Sequence, residues 1–200
     1  MQGTPFLSAE ERDWFTQTVG QRPQYMGQPS GPTTMANSPI TPPQTGGGGP
    51  RYRPSGTQGE YVFAAQNAAN QYGVDPNLFT GLLAYESGGW NPQATNPTSG
   101  AAGLGQFLPS TAAQYGTTPD RLRSDPYHAI DLSARLMSDN IRTFQGNQLM
   151  GAAAYFIGPK NIQDAVMKGG AQGWLQAADQ IALQYGQGTV TNWLQSIGAI

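Results

Sequence analysis

The sequence predicts an all-α domain of about seven or eight helices, preceded by an extended Pro/Gly-rich arm. Three observations carry that prediction. After residue 59, apolar residues recur at three- and four-residue spacing, the period of a helix face. Several of these stretches open on a capping residue followed by Pro and close on Gly, the asymmetry that marks helix ends. Alternating apolar and polar runs, which mark half-buried strands, are scarce.

The elements follow in order. Residues 1–58 hold nine of the 16 prolines and the run Gly46-Gly47-Gly48-Gly49. Between Pro23 and Pro54 almost nothing is apolar, so this stretch cannot bury enough surface to offset its ordering entropy. We read 20–58 as a linker or docking arm. A short helix is expected before it: Ser8 with Glu11 three residues on forms a capping box, flanked by Leu7 and Phe15. That segment reads equally as an anchor to another protein or as an unanchored tail.

Residues 59–200 read as one domain, long enough to bury a core. Val62, Ala65, Ala69 and Tyr72 place a helix from Glu60 to Tyr72, closed by Gly73. Asp75 caps a second helix with Pro76 at its first position; Leu78, Phe79, Leu82, Leu83 and Tyr85 form its body, and it stops at Gly88-Gly89. Residues 90–103 form a polar loop, and Pro109 to Tyr115 a short helix. Asp125-Pro126 starts a long helix whose stripe is Ile130, Ala134, Met137, Ile141 and Phe144. Leu149–Ile157 is an internal Ala-rich helix; Asn161–Met167, Trp174–Tyr185 and Thr191–Ile197 complete the set.

Charge narrows the function. The chain has 10 bases and 12 acids, a net charge of -2, which argues against nucleic acid as a partner. It has no Cys, hence no thiolate metal site and no thiol nucleophile. No apolar run reaches transmembrane length, and Met1–Phe15, with Glu10, Glu11 and Asp13, does not read as a conventional signal peptide. From Pro54 to Pro119 the charged residues are Glu60, Asp75 and Glu86, with no Lys or Arg. Asp75 is explained as a cap. Glu86 stands in the last helical turn, where the helix dipole disfavours an anion, with Leu82 and Leu83 one turn back. Such surroundings raise a carboxyl pKa and suit a general acid; a solvent-facing Glu at a helix end is the competing reading. Trp90, Asn91, Asn96, Ser99 and Gln106 offer uncharged polar groups beside an aromatic, and Tyr85, Tyr115, Tyr155 and Phe156 offer rings, which together favour a carbohydrate cleft. Glycoside hydrolysis normally takes two carboxylates. The next acids, Asp120 and Asp125, are a distant candidate and a cap, so a one-carboxylate mechanism is open.

Glu86-Ser87-Gly88-Gly89-Trp90-Asn91-Pro92, then Gly103-Leu104-Gly105-Gln106-Phe107, then Pro109-Ser110-Thr111, resembles the soluble lytic transglycosylases, which cleave peptidoglycan and share the helical fold of goose-type lysozyme. Ala153-Ala154-Tyr155-Phe156-Ile157-Gly158-Pro159 echoes a third signature of that family. The resemblance covers roughly residues 60–185 and implies Glu86 as catalytic acid and base. It implies Ser87 beside the glutamate, positioning either it or the sugar, Gly103, Leu104 and Gln106 along the cleft with Gln106 on the glycan, and Tyr155 with its hydroxyl near the glutamate; Asn91 is expected to bind substrate as part of the polar loop. Two positions depart from the family: Gly105 where Met is frequent, and Phe156 where a substrate-binding Asn is usual, a change that bears on preference and activity. The implied reaction cuts between N-acetylmuramic acid and N-acetylglucosamine and leaves a 1,6-anhydro product, with no metal or other cofactor. A cell-wall enzyme without an export signal implies delivery in a bacteriophage particle, with local wall opening at genome ejection, or through a secretion machine; residues 1–58 would contact other proteins of that assembly. The alternatives are a hydrolytic muramidase, a non-catalytic virion protein on the same fold, and a chitin-directed enzyme.

Overall fold

The computed structural model of the chain describes residues 56–200. The expected Ser8 helix and most of the 20–58 arm lie outside the described residues. The described residues form eight helices and no named strand: α1 (Gln58–Tyr72), α2 (Pro76–Glu86), α3 (Pro109–Gln114), α4 (Pro119–Ser124), α5 (Pro126–Thr143), α6 (Gln148–Ile157), α7 (Pro159–Gln184) and α8 (Val190–Ser196). The all-α class expected from the sequence is the one observed.

Local chemistry sets the boundaries. Thr57 and Glu60 close a reciprocal capping box at the start of α1, and Gly73 ends it in the left-handed conformation at φ 71°. Asp75 accepts the backbone N–H groups of Asn77 and Leu78, both at 2.9 Å, with Pro76 behind it in the first turn. Asp125 repeats the device for α5, accepting from His128 N. Replacing Asp75 with Ala strands two N–H groups at the start of the helix that carries Glu86. It is expected to cost about 1 kcal/mol, read as a lowered thermal midpoint.

The sequence expectation missed α4. The signal was present, since Thr118 caps and Pro119 follows, but α4 is six residues long and only Leu122 is buried. The helices expected at 161–167 and 174–185 prove to be the two arms of α7, divided at Gly170, whose φ of 63° and ψ of -171° lie outside the helical range.

The core forms where α5 packs between α1 and α6, with α2 against α1 and the pair α7 and α8 against α6. The stripe read for α5 is its buried face: Ile130, Ala134, Met137, Ile141 and Phe144 are at most 5 % exposed. A smaller cluster of Phe107, Ala112, Leu122, Ala129 and Leu132 lies under the loop that follows α2. Between α2 and α3 the chain is held by isolated bridges, Thr95 to Ala102 and Ala102 to Phe107, rather than by regular structure. That arrangement sets a polar loop beside the C-terminal end of α2.

Candidate active site

Glu86 is the last residue of α2, and the chain turns sharply after it. Ser87 makes the turn. Its hydroxyl donates to Leu83 O at 2.7 Å and accepts from Trp90 N at 2.8 Å, and the residue is buried. The serine thus fixes the backbone on which Glu86 sits. Trp90, at φ 69°, folds into the core instead of facing a ligand, which corrects its reading as part of a sugar-binding surface. Asn91 is exposed and accepts from Gln93 N at 3.0 Å; Asn96 accepts from Thr98 N and Ser99 N. These Asn side chains brace the loop as Asx turns.

Gly103, Leu104 and Gly105 are buried, with Leu104 wholly enclosed in the main core. Gln106, at φ 47°, donates from Nε2 to Gly103 O at 3.0 Å and to Ala94 O at 3.2 Å, tying the motif to the loop. Tyr155 comes from α6. Its hydroxyl donates to Gly105 O at 2.7 Å, with Ser133 Oγ of α5 at 3.4 Å. Burial is the main cause that raises its pKa, and the Glu86 charge adds to the effect. One ring therefore couples α6, the 103–106 turn and the neighbourhood of Glu86. Phe156, the next residue, stacks on Trp193 of α8, with ring centroids 5.0 Å apart and planes 6° apart.

Burial raises the Glu86 pKa from 4.5 to about 7, opposed by one hydrogen bond, from Trp193 Nε1 to Oε1 at 3.2 Å. No charged side chain among the described residues contributes to that shift. Asp120 is exposed and paired with Arg123, and Asp125 is spent on its cap. Neither acts as a second carboxylate on Glu86. A carboxyl poised near neutrality, with the neutral Trp193 indole as its hydrogen-bond donor, can give up a proton and take one back in the same working range. Among the described residues, no cluster of three His, Cys, Asp or Glu is placed to hold a metal ion. No described helix is long and apolar enough to cross a membrane.

Sequence reasoning placed Glu86, Gln106 and Tyr155 near one another in function but missed Trp193 and Ser133. The signal for Trp193 was available in principle. A buried indole needs an acceptor for its N–H, and Glu86 is an acid in a charge-poor stretch with leucines one turn back and no cation near it in sequence.

Comparison with known proteins adds to this geometry. Residues 63–176 match the family described as "Transglycosylase SLT domain". Over 74 residues the chain is 39% identical to a protein described as "Transglycosylase" from Enterobacteria phage PRD1; the stretch covers 37% of this chain and 26% of that protein. The chain thus spans about a quarter of the length of that relative. No solved structure gives a match.

Proposed function

The chain belongs to the transglycosylase SLT domain family, and from that premise we propose that it cleaves the glycan strand of peptidoglycan with Glu86 as its single acid and base. The observation that carries the reading is the state of Glu86: half-buried, held near pKa 7, with one neutral donor and no charged partner among the described residues. Protonated Glu86 donates to the glycosidic oxygen between N-acetylmuramic acid and N-acetylglucosamine. The bond from C1 to that oxygen breaks, and positive charge builds on C1 and the ring oxygen. The carboxylate then takes the proton of the muramoyl C6 hydroxyl, and O6 bonds to C1. The product is a 1,6-anhydromuramoyl end, and no water is consumed. An intramolecular nucleophile gives the second step a high effective concentration, which is why one carboxyl suffices.

Ser87, Asn91, Gly103, Leu104, Gln106 and Tyr155 are proposed to shape the binding surface around that acid. Most act through the backbone. Ser87 and Tyr155 fix Glu86 and the 103–106 turn, while Asn91 and Gln106 hold the loop that borders it. Residues 59–200 are the proposed catalytic domain, and 1–58 the part that docks it to a larger assembly. A phage transglycosylase among its relatives supports a virion-associated role, and we propose that the role is to open the wall locally as the genome enters.

Mass spectrometry of purified murein digested by the full chain tests the reaction. Muropeptides 18 Da lighter than the hydrolytic products, lacking a reducing end, are expected from the intramolecular step, about one water per cut. Reducing ends would identify a hydrolytic muramidase on the same fold, and undigested murein would identify a non-catalytic protein.

A further inference from the structure

The contact on Glu86 comes from a part of the chain that the family match, residues 63–176, does not reach. Trp193 lies on α8, near the C-terminal end of the described residues, and is 2 % exposed. Three features bring it there. Gly81 stands in the middle of α2, where a glycine weakens a helix. A Cβ at that position would overlap the Ile197 carbonyl oxygen and lie 3.0 Å from its carbon, so the glycine is what lets the backbone after α8 seat against α2. Ile197 N in turn donates to Trp193 O, one turn back. At its other end α8 is fastened to α7, because Asp179 accepts from Thr191 N at 2.9 Å and from Thr191 Oγ1 at 2.7 Å. Finally, the indole is fixed in plane by the Phe156 stack and against the edge of Tyr85, whose ring centroid is 6.4 Å away at 84°.

We infer that Trp193 is a positioning residue for Glu86, delivered by α8 and locked by Phe156; this rests on Glu86 being the catalytic acid. An indole N–H can only donate. It therefore engages a lone pair of Oε1 whether or not the carboxyl is protonated, and leaves Oε2 as the oxygen that carries the proton. Phe156 takes part through this stack. Its ring sets the plane of the indole that sets the carboxyl. The titratable group facing Glu86 from another element is Tyr155 of α6, whose raised pKa keeps it neutral in the range where Glu86 titrates.

The test uses the full chain labelled with 15N. The indole Nε1–H resonance of Trp193 is expected to titrate with a midpoint near that of Glu86, about 7, and to stop titrating in Glu86→Gln. Trp193→Phe keeps a ring against Phe156 and removes the donor. It is expected to lower the rate at saturating murein by about tenfold with KM within about twofold. The alkaline limb should move to higher pH, because a donor favours the charged carboxyl. A flat indole resonance between pH 5 and 9 overturns the inference, as does a folded Trp193→Phe with unchanged rate and pH profile. If that variant does not fold, the resonance of the unaltered chain decides. Failure of the unaltered chain to cleave murein would count against the proposed reaction instead, since the resonance does not depend on turnover.

Discussion

Glu86→Gln is expected to lower glycan cleavage by about 10³-fold or more, and at the same time to make the protein more stable at pH 8. The loss of activity follows from the absence, among the described residues, of a second carboxyl that could share the work: Asp120 is exposed beside Arg123 and Asp125 caps α5. The gain in stability follows from the same burial that raises the pKa. In the unfolded chain the carboxyl titrates near 4.5, and in the folded protein at about 7. Between those values the folded state holds a proton that the unfolded state has lost. Stability is therefore fully present below pH 4.5, falls as pH rises through the window, and levels off above 7. The difference between 4.5 and 7 converts to about 3 kcal/mol. Gln keeps the size of Glu, and its Oε1 accepts the Trp193 N–H, but it carries no charge to bury. Thermal midpoints of the two proteins should lie close at pH 4.5 and separate by several degrees at pH 8. Equal separation at both pH values would remove burial of the charge as the cause, and undiminished cleavage by the variant would end the assignment of Glu86.

The same ionisation governs the rate. Cleavage needs the acid form first, so kcat/KM should hold below about pH 7 and fall tenfold per unit above it, with one alkaline limb from this group. The sequence made this partly legible. A carboxyl at a helix end, with leucines one turn back and no cation nearby, is visible as a pattern, and the direction of its pKa follows. The caps at Asp75 and Asp125 were legible for a similar reason: each is a local agreement between a side chain and the next three residues. What was not legible depends on contacts between distant parts of the chain. Trp193 reaches Glu86 across 107 residues, and Tyr155 reaches Gly105 across 50. No spacing rule connects such pairs. Trp90 failed in the opposite direction. Its neighbours are polar, but a left-handed backbone at that residue turns the ring inward. Helix α4 was lost because a six-residue helix burying one leucine has too little periodicity to register.

Gly105→Ala is expected to destabilise the protein by about 2–3 kcal/mol and to reduce cleavage, although it adds a single methyl group. A Cβ at that position would overlap Ser133 Oγ and lie 2.7 Å from Tyr155 Oη and 3.1 Å from Phe107 Cε2. None of these can move freely. Ser133 is wholly buried and donates to Ala129 O at 2.7 Å, Phe107 is buried, and the Tyr155 hydroxyl is bound to the carbonyl of Gly105 itself. The methyl group must displace the turn or break one of those hydrogen bonds, and either change shifts the backbone that leads to Gln106. Here the departure from the family at Gly105 finds its physical reason: the space beside the turn is already filled by a hydroxyl from α5 and a phenol from α6. If they share that space, the effects cannot add. Ser133→Ala removes the Oγ that meets the new methyl first, so the double variant should recover about 1 kcal/mol or more of the loss, read as a coupling energy from four thermal or denaturant melts. Additive effects would show that the turn yields elsewhere, and that Gly105 answers to its backbone and not to Ser133.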